Sequence, residues 1–213
     1  MAPTFEYCAA RFLDHWIRQE ERHFLAFRKP TSLSVRAGLG YFKVSRGFNR
    51  IDTDPEVSSK VCSLLVTHSR YLSAGTAVAR VESLASAIQN ELSLANLLSA
   101  SSKLLWLRCR SPVVIYDSRA IRALNKSGHR LKQRVYRPFH DAWHESFAAH
   151  RREIVVAADA LPSIRQFTVA SSRSKAQVVQ IVQEDWFLER VFDQYLWIVG
   201  QPRNTAEELT YDA

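Results

Sequence analysis

The sequence predicts an all-α fold, and three observations carry that reading. Only six glycines and seven prolines punctuate 213 residues, and apolar residues recur three or four apart through most of the chain. Helix-opening residues also precede several of the apolar periodic segments, as at Asp54–Pro55, Asp117–Ser118 and Ser174. With 46% hydrophobic residues the chain can bury one substantial core. We therefore expect a single domain over 1–213. Within it, a cleft between an N-terminal lobe (1–92) and a C-terminal lobe (93–200) is one arrangement to look for, followed by a flexible acidic tail (201–213).

Each element follows from its residues. Phe5, Phe12, Trp16, Phe24 and Phe27 predict an amphipathic helix over 5–27, which Pro30 stops by disfavouring helical geometry in its predecessor. Residues 34–50, SVRAGLGYFKVSRGFNR, read as a glycine-containing connector in which Arg36, Lys43, Arg46 and Arg50 interleave with Tyr41, Phe42 and Phe48. Such a mixture can stack on and neutralise nucleic acid, or simply pack its rings inward. Asp54 and Pro55 open a helix through Val61, Leu64 and Leu65 towards Leu72, broken at Gly75. A helix over about 77–91 follows.

The segment ELSLANLLSASSKLLWLRC (91–109) continues the helical pattern, with its serines as the expected interruption, and Pro112 ends it. Asp117 or Ser118 caps a helix beginning near Arg119, with Ile121 and Leu124 inward and Arg122 outward. Val135, Phe139, Trp143 and Phe147, four apart, predict a core stripe with Pro138 in the first turn. Pro162 is expected to restart the chain. Ser174 then caps a continuous helix over 175–199 closed by Gly200. Trp186, Phe187, Phe192, Tyr195 and Trp197 cannot share one stripe, so that helix should be buried on more than one side.

Lys plus Arg outnumber Asp plus Glu by 29 to 21, a formal charge of +8, which favours a polyanion such as nucleic acid. Between Arg108 and Lys132 seven basic residues (Arg108, Arg110, Arg119, Arg122, Lys126, Arg130 and Lys132) face one acid, Asp117. Nucleic acid is the partner that this charge leads us to expect. No run approaches the roughly 18 apolar residues of a membrane helix, and the N-terminus lacks a basic region followed by an apolar run. Cys8, Cys62 and Cys109, odd in number and set among apolar residues, read as reduced thiols. A cytoplasmic placement without membrane association follows as the expectation.

In SASSKLLWLRCRSPVVIYDSRAIRAL, Lys103 lies near a helix start and Asp117 opens the next helix after a proline turn. This stretch, about Leu92 to Leu124, resembles the helix-hairpin-helix DNA glycosylase superfamily, specifically its 8-oxoguanine glycosylase-like branch. More loosely, WFLERVFDQYLW resembles the closing helix of compact bacterial proteins of that fold. The resemblance implies a DNA glycosylase with AP-lyase activity whose partner is double-stranded, damaged or modified DNA and which excises a modified purine such as 8-oxoguanine, in DNA repair, without cofactor or metal. It makes Lys103 the nucleophile and Asp117 the assisting carboxylate. An amine attacks a sugar carbon only when unprotonated, so the site must lower its pKa. Arg108, Arg110, Arg119, Arg122 and Lys126 would hold phosphates, and Trp106, Tyr116, His140 and Trp143 are candidates for gripping a flipped base.

The stretch also departs from that pattern. Lys103 and Asp117 are only 14 residues apart, and Ser99, Ala100, Ser101 and Ser102 stand where the family's hairpin carries glycines. The alternative is accordingly a glycosylase-like binding module that recognises a modified nucleobase, a nucleotide or a protein partner in bacterial antiphage defence. His140 and His144 have helical metal-ligand spacing but lack further ligands, and no phosphate-loop, nucleophile-elbow or dinucleotide motif is present.

Overall fold

The computed structural model describes residues 3–48, 50–95 and 97–202, and among these there are ten α-helices and no strand. Helix α1 (Phe5–His15) starts where the Thr4 hydroxyl accepts the Tyr7 N–H. A π-helical turn, Trp16–Glu20, joins it to α2 (Glu21–Phe27). The expected helix over 5–27 is thus one helical path whose wide turn rotates both Trp16 and Glu20 into the core.

Residues 34–50 depart from the expectation of a connector. Most of the segment's first half belongs to a helix, α3 (Ser32–Tyr41), opened by a Thr31–Ser34 capping box. Its glycine serves packing: a Cβ on Gly38 would stand 2.8 Å from the Phe27 ring and 2.9 Å from Leu107. Phe48 is buried, while Tyr41 and Phe42 are half-buried.

Helix α4 (Pro55–His68) has Asp54 as its N-cap, the side chain accepting the Glu56 N–H. It stops four residues short of Leu72, and Tyr71, in left-handed geometry (φ 53°), is exposed. Helix α5 (Ala77–Leu92) ends on left-handed Ser93. Helix α6 (Leu98–Cys109) begins after Leu97, so Ser99, Ser101 and Ser102 lie inside it, contrary to the interruption expected at them. Ser102 explains this: its hydroxyl donates to the Ser99 carbonyl (3.1 Å) and accepts the Tyr116 N–H (2.9 Å), so the helix interior satisfies it.

Helix α7 (Ser118–Lys126) leads to α8 (Tyr136–Ile164), 29 residues long. Tyr136, fully buried, takes the place expected of Val135, which is 43% exposed. Pro162 does not restart the chain. It lies buried in the last turn of α8, where a missing N–H forfeits one bond near a helix end. The expected continuous helix over 175–199 is two helices, α9 (Lys175–Val182) and α10 (Asp185–Val199), separated by extended Glu184. The break lets Val178 and Val182 pack on α8 while Trp186, Phe187 and Leu188 turn towards other neighbours.

Helix α10 packs against α1, α7 and α8, and α6 against α2, α3 and α5. Both ends of the chain therefore contribute to one continuous core. All three cysteines are free, and burial pushes the Cys8 thiol up to about 11. No helix among the described residues is long and apolar enough to cross a membrane. Of the expected tail, 203–213 lies outside the described residues.

Candidate active site

Helix α6 is apolar or small on every side: Leu98, Ala100, Ser101, Ser102, Leu104, Leu105, Trp106 and Leu107 are all buried. Such a helix sits in the middle of the fold, and its one buried charge is Lys103, 6% exposed. Tyr136 secures the return strand of chain from Pro112 by donating to the Val114 carbonyl at 2.7 Å. With Ser102 holding Tyr116, that return brings the start of α7 back against the middle of α6.

Lys103 Nζ consequently lies 3.2 Å from Asp117 Oδ2 and donates to Ser99 Oγ at 2.8 Å. Asp117 does two jobs at once. Its Oδ1 accepts the Arg119 N–H at 2.8 Å and caps α7, while Oδ2 meets the amine. The Asp117 side chain is 25% exposed, so the pair lies at the edge of the solvent. Burial lowers the lysine pKa from its ordinary 10.5, more than the opposing carboxylate of Asp117 restores.

Behind the pair lies a charge network that sequence reasoning missed. Arg190 grips Glu20 with two hydrogen bonds, Nε to Oε1 at 3.1 Å and Nη2 to Oε2 at 3.0 Å, and Asp193 with a third at 3.1 Å. Asp193 also accepts the Trp143 indole N–H at 2.9 Å. Tyr41 donates to Glu20 and touches His15 Nε2. Burial pushes the Asp193 carboxyl up to about 6 against the pull of Arg190. The available signal was two charges, three apart, in a helix too aromatic to have an exposed face.

The remaining sequence candidates are scattered. Arg122 Nε donates to the Gly200 carbonyl (2.9 Å) and Lys126 Nζ to that of Val199 (2.7 Å), so both cap the end of α10. Arg119 lies over the Trp197 ring at 4.0 Å. Arg108 is half-buried with an unpartnered Nε. Arg110 points away into a ring of aromatics. Trp106 and Trp143 are core residues, each 1% exposed, and Tyr116 is also buried. His140 is half-buried against His144, ring centroids 4.4 Å apart. Among the described residues no cluster of three or more His, Cys, Asp or Glu could hold a metal ion. A cavity of about 640 Å³, lined by Thr4, Phe5, His150 and Tyr195 among others, takes no residue from α6 or α7 and stands apart from the Lys103–Asp117 pair. Compared with known proteins, the chain matches no family model, no curated protein and no solved structure.

Proposed function

We propose that this chain is a DNA N-glycosylase with AP-lyase activity, of the helix-hairpin-helix, 8-oxoguanine glycosylase-like kind, acting on a modified purine. One observation supports it above the others: a buried amine, Lys103, held 3.2 Å from a partly exposed carboxylate, Asp117, at a helix start. Burial favours the neutral, nucleophilic amine. The Lys103 nitrogen bonds to the sugar carbon C1′ as the bond from C1′ to the base breaks, its electron pair leaving with the base. Asp117 faces the cationic sugar that develops and takes the proton shed by the attached nitrogen. The sugar ring then opens, the C1′–O4′ bond breaking with its electron pair on O4′, which takes the proton back from Asp117, and the Schiff base left between C1′ and Lys103 is the covalent species to look for.

Borohydride trapping on duplexes containing 8-oxoguanine or an abasic site tests the reading. Wild type should give a covalent protein–DNA adduct, and Lys103→Gln, which lacks the amine, should give none. The binding-module alternative draws on Ser99–Ser102, which form helix where the family's pattern has a glycine hairpin. Retention of a modified nucleobase, a nucleotide or a partner protein, with neither adduct nor base release from damaged duplexes, would transfer the assignment to it.

A further inference from the structure

The groove between α2 and the α9–α10 junction, about 190 Å³, holds an arginine in an unusual setting. The Arg110 guanidinium lies 3.7 Å from the centroid of Phe24, 4.5 Å from Trp186 and 5.7 Å from Trp16. Three rings therefore crowd the guanidinium, whose N–H edge remains its hydrogen-bonding part. No hydrogen bond or ion pair engages that edge among the described residues. The backbone is strained to place it there: Arg110 has φ 57° and ψ −137°, a conformation that side chains other than glycine rarely adopt. Trp16 and Trp186, 3% and 6% exposed, line the same groove, and each carries a buried indole N–H without an acceptor among the described residues. Buried donors of this kind are uncommon and call for a partner. Arg28, exposed and 5.8 Å from the Phe24 centroid, adds a second guanidinium at the mouth.

We infer that this groove is an oxyanion site for a phosphate group, gripped by the planar edge of Arg110, by Arg28 and by the two indole donors. Guanidinium forks match phosphate oxygens, and stacking on rings spares Arg110 the entropy of becoming ordered on binding. Two carboxylates border the groove. Glu21 is paired with Arg173, and Glu184 lies near Arg110 without bonding it, which leaves two cations against one free acid. The inference does not depend on the glycosylase reading, since it concerns affinity for phosphate and not chemistry at Lys103.

The test follows the five tryptophan indole N–H signals by NMR during titration with inorganic phosphate and, separately, with a short undamaged DNA duplex. Signals of Trp16 and Trp186, assigned through Trp→Phe variants, should move while those of Trp106, Trp143 and Trp197 stay. A response to both probes identifies a free phosphate group as sufficient, and a response to the duplex alone identifies the phosphodiester of a strand; either supports the site. Arg110→Leu should weaken binding about tenfold or more and Arg28→Gln several-fold, whereas Glu184→Gln should tighten it about two- to fivefold by removing the competing acid. Arg28 is exposed, so its variant keeps the test valid if Arg110→Leu disturbs packing. Static Trp16 and Trp186 signals under both probes, or titrations unchanged in both arginine variants, would overturn the inference.

Discussion

Removing Arg190 should expose how far this core depends on one guanidinium. Arg190→Met keeps the length and apolar bulk of the side chain but leaves Glu20, fully buried, and Asp193, 9% exposed, without their cation. Breaking a buried ion pair by deleting one partner costs about 3–5 kcal/mol, because the orphaned charge stays desolvated. At roughly 2.1 cal/mol/K of unfolding entropy per residue, a chain this long loses about 7–11 °C of melting temperature for that change. The deficit should depend on pH with a defined sign. Burial already raises the Asp193 carboxyl, and without the opposing pull of Arg190 it lies further above its unfolded value, so protonation favours the folded state and stability is lost as pH rises. Urea unfolding of wild type and variant at pH 5 and pH 8 reads this directly, with the larger deficit at pH 8. Adding Glu20→Gln and Asp193→Asn should return most of the loss. A deficit under about 1 kcal/mol, or one equal at both pH values, would refute the account.

Other outcomes follow from the same geometry. Gly200→Ala should destabilise by about 3 kcal/mol or more, since the new Cβ would stand 1.8 Å from the Arg119 carbonyl oxygen; calorimetry checks it. Asp117→Asn should slow adduct formation while keeping the α7 cap, and Asp117→Ala should be about 1 kcal/mol less stable than Asp117→Asn because it loses that cap as well. Trapping kinetics and urea midpoints separate these two effects. Glu189, hydrogen-bonded to Ser111, is pushed by burial from 4.5 up to about 7. Its contribution is therefore full below about pH 4.5 and lost as pH rises through 7, up to about 3 kcal/mol. Glu189→Gln should flatten that part of the stability profile and exceed wild type at pH 8.

Much of the helix pattern was legible because local signals set it. Ser174, Asp54 and Asp117 act at helix starts through their own side chains. What escaped was decided by tertiary packing. Gly38 reads as a flexible connector residue until Phe27 and Leu107 are seen pressed against it. The split at Glu184 is invisible in an unbroken apolar period, because it answers the positions of α8 and α1. Lys103 and Asp117 could be paired from the proline turn between them. The basic cluster could not be resolved, since Arg122 and Lys126 are spoken for by carbonyls 78 and 73 residues away.

The grip of Arg190 on Glu20 joins residues 170 positions apart. During synthesis at roughly 5–20 residues per second, Glu20 therefore waits on the order of 10–30 s before its counter-ion has even been made. Until then the emerging chain holds a carboxylate that its own apolar surroundings reject, and the first helices cannot close over it. Shortened chains that end before α10 would meet the same obstacle permanently, which makes the last helix the step that commits the whole molecule to its folded form.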